Sequence, residues 1–285
     1  MGTPVLFTVN GTGAPGPFDP GFAGDMGRAM TPTPEQVFCD KLDGIDTQGA
    51  FFWQPIGYPA AVCPMQQSQL AAQAELSRLF GVHEQSGLCP PGTPLALSGY
   101  SQGAIAVAQF WRDQILNPAG QHHNRLADVV GIVQFGDPLR CPGIAHGNEI
   151  AGLPAPSLHD GQVTGGISGK DCLTPDQTPD FYVSCALDGD LYAAAPVGVN
   201  PWTAEPEVGC LETRIYDFVV YATWDAFMEN VGDLVDIFEQ PIETIVAAAE
   251  AIFNGMKFFA AGTNAPHWQY QCMFPAVADW LKAQV

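Results

Sequence analysis

Residues 129–135 read Val-Val-Gly-Ile-Val-Gln-Phe, a nearly unbroken apolar run. A strand with one face in water alternates apolar and polar residues, whereas an unbroken run marks a strand buried on both faces. Similar runs occur at 4–9, 50–53, 95–98 and 181–185. Helical spacing lies between them, at 65–80 with Leu70, Ala74 and Leu79 on one side, and at 102–116, ended by Asn117-Pro118. A last helix is expected over 274–282. Alternating buried strands and helices predict an α/β fold, a central parallel sheet flanked by helices.

The alternation breaks twice. Residues 138–179 are rich in Gly, Pro, Thr and Asp and predict a long surface excursion. From 204 to 259 the chain turns helical, at 215–227, 231–238 and 242–259, and carries Phe218, Tyr221, Trp224, Phe227, Phe238 and Phe253. A helical block inserted late in an α/β chain is often a cap over the site. The expected division is therefore a body of 1–195 and 261–285, with 196–260 an inserted helical linker or cap. No internal repeat is visible.

Composition narrows the partners. Thirty acidic residues against 10 basic ones give a formal net charge of −20, which repels nucleic-acid backbones and anionic membranes. No apolar run approaches the roughly 20 residues of a membrane span. No basic start, apolar stretch and small-residue cleavage site precede the first strand, so no signal peptide is expected. The eight cysteines include no C-x-x-C pair, and no histidine stands at zinc-finger spacing from them. Two readings stay open: buried free thiols, or disulfides in the loop-rich stretch holding Cys172, Cys185 and Cys210.

Chemistry enters with Gly99-Tyr100-Ser101-Gln102-Gly103. In a chain with 31 glycines, a Gly-x-Ser-x-Gly match arises by chance roughly once in ten such sequences, so context decides. Here the motif follows one expected strand and opens one expected helix, the strand-turn-helix setting of a nucleophilic serine. Small flanking residues let helix and strand pass closely, and the helix amino terminus directs partial positive charge at an oxyanion.

A serine hydroxyl needs a general base, itself oriented by an acid, and in this setting the order along the chain is Ser, acid, His. His83 precedes Ser101, His122 and His123 follow its helix directly, and His146 and His159 lie in the excursion. His267, just before the last helix, is the expected base, with His159 the runner-up. Asp190, after the 181–185 strand, is the expected acid, ahead of Asp137 and then Asp188. The oxyanion donors are expected to be the backbone N–H of Gln102 and Thr12, in the loop after the first strand.

A rival motif occupies that loop. Gly11-Thr12-Gly13-Ala14-Pro15-Gly16 matches the dinucleotide fingerprint G-x-G-x-x-G. That fingerprint needs a helix to begin inside it, whereas Pro15, Pro17 and Pro20 crowd its last glycine and no helical periodicity is read after it. It is taken as an oxyanion loop, with no cofactor and no metal expected.

Together, Asn10-Gly11-Thr12-Gly13, Gly99-Tyr100-Ser101-Gln102-Gly103, Phe135-Gly136-Asp137-Pro138, Gly189-Asp190 and the late His267 resemble the cutinase-like branch of the α/β-hydrolases. The helical block between acid and base resembles the lysin B family, the mycolylarabinogalactan esterases of mycobacteriophages. The resemblance spans nearly the whole chain. It implies a serine esterase, expected to be a monomer, that hydrolyses the ester joining mycolic acid to arabinogalactan during host lysis. It further implies synthesis in the host cytoplasm and action at the envelope once other proteins have opened the membrane. A cutinase or lipase acting on small or lipidic esters is the alternative.

Overall fold

The structure, a computed structural model, describes residues 2–31, 49–61, 65–157, 161–197, 202 and 265–285. Its centre is a five-stranded sheet in the order β2-β1-β3-β4-β6. The strands are β1 (Val5–Val9), β2 (Phe52–Pro55), β3 (Leu95–Tyr100), β4 (Val129–Phe135) and β6 (Tyr182–Cys185). All pair in parallel. Every residue of these strands is buried except Val130, which is partly so. The apolar runs are therefore explained by cover on both faces.

Alternation within each strand sorts side chains between two cores. Val5, Phe7 and Val9 of β1, with Ile132 of β4, face α2 (Met65–Gln85) and α3 (Gln102–Phe110). Leu6 of β1, with Val133 and Phe135 of β4, faces α1 (Phe22–Met30) and the closing helix α5 (Phe274–Lys282). Gly131 of β4 lets α5 approach closely, since a Cβ there would meet the Leu281 side chain at 2.7 Å. The helix α3 runs on into a π-helical turn, Trp111–Leu116.

Three expectations need correction. First, α1 follows the Gly11–Gly16 motif, where no helical periodicity was read. It begins at Phe22, after Gly21, and its glycines at 24 and 27 disguise a helix whose buried residues include Phe22, Ala23, Met26 and Met30. Second, α2 turns a different face inward. Leu70 is 55% exposed and Ala74 is exposed, while Ser68, Gln69, Ala72, Leu76, Leu79, Phe80 and His83 are buried. Small and polar residues fill positions that an apolar count places outside. Third, the 138–179 excursion is not confined to the surface: Leu139, Arg140, Cys141, Ile167, Cys172 and Leu173 are buried. It also contributes β5 (Thr164–Gly165) to a small antiparallel ribbon with β7 (Ala195–Pro196), and a short helix α4 (His146–Ile150).

Cys89, Cys141, Cys172 and Cys185 are buried free thiols and Cys272 is an exposed one. Cys210 and the helical block expected over 204–259 lie outside the described residues. Among the described residues, no helix is long and apolar enough to cross a membrane.

The burial pattern sets a contrast between two leucines. Leu281→Ala opens a cavity over Gly131 and is expected to cost about 2–4 kcal/mol. Leu70→Ala is expected to stay within about 0.5 kcal/mol of the parent, as exposed substitutions do. Urea unfolding of both variants measures the difference.

Candidate active site

The strand order reverses direction between β1 and β3, because β2 lies on one side of β1 and β3 on the other. Loops leaving the carboxyl ends of two such strands diverge and leave a crevice between them. Ser101 stands at that crevice, on the turn from β3 into α3, with φ 56° and ψ −121°. A non-glycine residue in such a conformation is held at a cost of about 1–3 kcal/mol by its surroundings. The Ser101 N–H donates to the Phe135 carbonyl at the end of β4, 3.0 Å away, and the Ser101 carbonyl accepts from Ala104 N–H at 2.9 Å. Both motif glycines are required by close approach: a Cβ on Gly99 would strike the Ala104 backbone, and one on Gly103 the carbonyl oxygens of Val9 and Asn10.

The loop after β1 is pressed against this turn. A Cβ on Gly11 would lie 3.1 Å from the Ser101 Cβ. The Thr12 hydroxyl donates to the Gln102 Oε1 at 3.4 Å, and the Gln102 Nε2 donates to the Ala61 carbonyl at 2.9 Å. Sequence reasoning missed the residues that brace this loop. The Tyr58 hydroxyl donates to the Asn10 carbonyl at 2.6 Å, and Gly13 N–H donates to the Ala60 carbonyl at 2.9 Å. Burial pushes the Tyr58 phenol well up, so it remains a donor. Gln102 is the first residue of α3, so its backbone N–H has no acceptor within the helix and lies at the positive end of the helix dipole.

His267 is carried by a short 3-10 turn, Pro266–Trp268, and is 4% exposed. Its Nδ1 lies 2.8 Å from the Oδ2 of Asp190, which is 1% exposed. An ionised carboxylate only accepts, so Nδ1 carries the proton, and in the neutral ring the lone pair is left on Nε2. Two more donors reach Asp190: the Tyr270 hydroxyl at Oδ2, 2.5 Å, and the Tyr192 N–H at Oδ1, 2.9 Å. Burial alone would push the Asp190 carboxyl up, but the charge of His267 and the hydrogen bonds from His267, Tyr270 and Tyr192 together hold it below the usual carboxylate range.

Tyr100, next to Ser101, links the two halves. Its ring stacks on His267 at 5.2 Å between centroids, and its hydroxyl donates to the His267 carbonyl at 3.0 Å. Gly136 follows the carbonyl that holds Ser101; a Cβ there would lie 2.6 Å from the His267 Cε1 and 3.3 Å from the Asp190 Oδ2. The residues at the ends of β3 and β4, Tyr100 and Gly136, thus both lie against His267.

The excursion anchors the acid loop. Arg140, fully buried, donates to the carbonyls of Ala193 at 2.5 Å and Ile144 at 2.9 Å, and to the Thr164 hydroxyl at 2.7 Å. Ile167 N–H donates to the Tyr192 carbonyl at 2.9 Å.

The rival acids sit elsewhere. Asp137 is buried, accepting from Leu139 N–H at 2.8 Å and from the Tyr182 hydroxyl at 2.9 Å, and shapes the loop after β4. Asp188 is exposed, and His159 lies outside the described residues. Among the described residues, no cluster of three His, Cys, Asp or Glu side chains is placed to hold a metal ion.

Comparison with known proteins gives the family. The family model described as Cutinase matches residues 24–171, just over half of the chain. That span includes Ser101 and ends before Asp190 and His267. Endolysin B of Mycobacterium phage L5 is 34% identical over 282 residues, covering 97% of this chain and 98% of the relative. This chain belongs to the cutinase family, among its endolysin B members. Endolysin B of Mycobacterium phage D29 is 33% identical over 285 residues, with 97% and 98% covered. The crystal structure of lysin B from Mycobacteriophage D29 covers 99% of both chains with a TM-score of 0.67 at 29% identity. The family places the chain among the cutinase-like serine hydrolases.

Asp137 provides a test that separates loop shaping from catalysis. Burial pushes its carboxyl up to about 6, against which the hydrogen bonds from Leu139 N–H and the Tyr182 hydroxyl act. A carboxyl raised in the folded state stabilises fully below its unfolded value and loses that contribution as pH rises through the folded one. The stability of the parent relative to Asp137→Asn is therefore expected to fall by about 2 kcal/mol between pH 4 and pH 7. Denaturant unfolding at the two pH values measures it.

Proposed function

We propose that the protein is a lytic serine esterase of phage origin that cleaves the ester between mycolic acid and arabinogalactan in the host envelope. The observation that carries the reading is the buried His267–Asp190 pair, 2.8 Å apart, set beside a serine held at positive φ. Full-length likeness to endolysin B proteins supports the lytic role, and the name lysin B in turn supports the envelope as the place of action.

In this mechanism Ser101 attacks the ester carbonyl while His267 Nε2 takes its proton. Asp190 fixes the tautomer and stabilises the imidazolium without being protonated. The backbone N–H of Gln102 meets the oxyanion, with Thr12 supplying the second donor from the β1 loop. His267 then returns the proton to the departing sugar hydroxyl. Water attacks the acyl-enzyme by the same route and releases the fatty acid. No cofactor enters the scheme. The body that does this chemistry is 1–195 and 261–285, and on sequence pattern alone 196–260 is the inserted cap that would contact the acyl chains.

Two measurements test the reading. Purified mycolylarabinogalactan is expected to release free mycolic acid, and a short p-nitrophenyl ester to be hydrolysed as well. Hydrolysis of the small ester alone would favour a cutinase or lipase acting on small or lipidic esters. Asp190→Asn is expected to lose activity on the order of a thousandfold or more, while Asp137→Asn keeps most of it. The reverse ranking would move the acid to Asp137.

A further inference from the structure

The Asp190 carboxylate receives more than the relay requires. Its Oδ2 accepts from both His267 Nδ1 and the Tyr270 hydroxyl, the latter at 2.5 Å, while its Oδ1 takes the Tyr192 N–H. Tyr270 belongs to the 3-10 turn Tyr270–Cys272, three residues beyond His267, so one short segment delivers two donors to one oxygen. Its ring is fixed independently of the hydroxyl, packed edge-on against Phe22 at 5.6 Å and near Phe135 at 5.8 Å. Tyr270 is fully buried, and its phenol is well above its ordinary value through burial and the nearby Asp190 charge, so it stays protonated and donates.

We propose that Tyr270 is a positioning residue of the proton relay: its hydroxyl keeps the buried Asp190 ionised and fixes which edge of the carboxylate faces His267. This rests on the reading of Asp190 as the relay acid. The physical reason is twofold. A buried carboxylate needs hydrogen bonds to hold its charge, and removing one favours the protonated form. A carboxylate held by donors on both oxygens also cannot rotate, which keeps Oδ2 in line with Nδ1.

The groups facing Asp190 come from each neighbouring element. Tyr192 lies on its own loop, and its ring is 4.9 Å from the His267 ring. Tyr100 at the end of β3 interacts with the Asp190 charge, and Tyr270 interacts with both that charge and Cys185 at the end of β6. Against the cost of burial, His267 and the hydrogen-bond donors Tyr270 and Tyr192 N–H stabilise the charge of Asp190.

The test is Tyr270→Phe, which keeps the ring contacts and removes only the hydroxyl, measured beside Asp190→Asn and the double variant on a p-nitrophenyl ester. In Tyr270→Phe, kcat is expected to fall about tenfold with KM unchanged within about twofold. The acid limb of the kcat/KM profile is expected to move up by about one pH unit, because loss of the donor leaves a more basic carboxylate. Adding Tyr270→Phe to Asp190→Asn should then change neither kcat nor the profile, since the residue acts through Asp190. A Tyr270→Phe profile that superimposes on the parent with unchanged kcat, beside an inactive Asp190→Asn, would overturn the proposal alone. An equal loss from Tyr270→Phe in both backgrounds, with no shift of the acid limb, would likewise reduce Tyr270 to a packing residue. An Asp190→Asn variant with near-full activity would instead remove the underlying reading of Asp190.

Discussion

A carboxylate without solvent must find its stabilisation within the protein, and Asp190 is such a group. The loop after β6 has to place it where His267, Tyr270 and the Tyr192 N–H all reach it. That requirement joins parts of the chain about 80 residues apart, because His267 and Tyr270 come from the segment before α5. It also explains the buried Arg140, whose guanidinium ties the excursion to the Ala193 carbonyl just beyond the acid. Segments with little sequence periodicity are thereby fixed by hydrogen bonds rather than by apolar stripes.

The other end of the site depends on backbone shape. Ser101 is held at positive φ by a bond across to β4, while α3 passes over the end of β1 so closely that only glycine fits at 103. The crevice at the reversal of strand order then receives the β1 loop, braced by Tyr58 and by the side chain of Gln102. Gln102 therefore contributes twice: its backbone N–H opens α3 towards the crevice, and its amide ties the loop to the segment after β2.

Sequence made the sheet legible because a strand buried on both faces has to be apolar throughout, and 129–135 fits β4 residue for residue. The closing helix was equally plain at 274–282. The pairing of His267 with Asp190 was legible because the proposed nucleophile, acid and base are expected in a fixed order around this kind of sheet. The inward face of α2 was not legible, since Ser68, Gln69 and His83 are buried through tertiary contacts that apolar periodicity does not count. The helix α1 was hidden by its glycines, one of which, Gly27, makes room for the Trp53 ring. Tyr58, Tyr100 and Tyr270 carried no local signal, because each acts on a group distant in the chain.

The central claim is that Ser101 is an activated nucleophile, and a fluorophosphonate tests it most directly. Mass spectrometry of the labelled protein is expected to find one phosphonyl adduct, on Ser101, absent from Ser101→Ala and much slowed in a variant lacking the His267 imidazole. Labelling of Ser101→Ala at the parent rate, or none in the parent while the small ester is hydrolysed, would contradict the account.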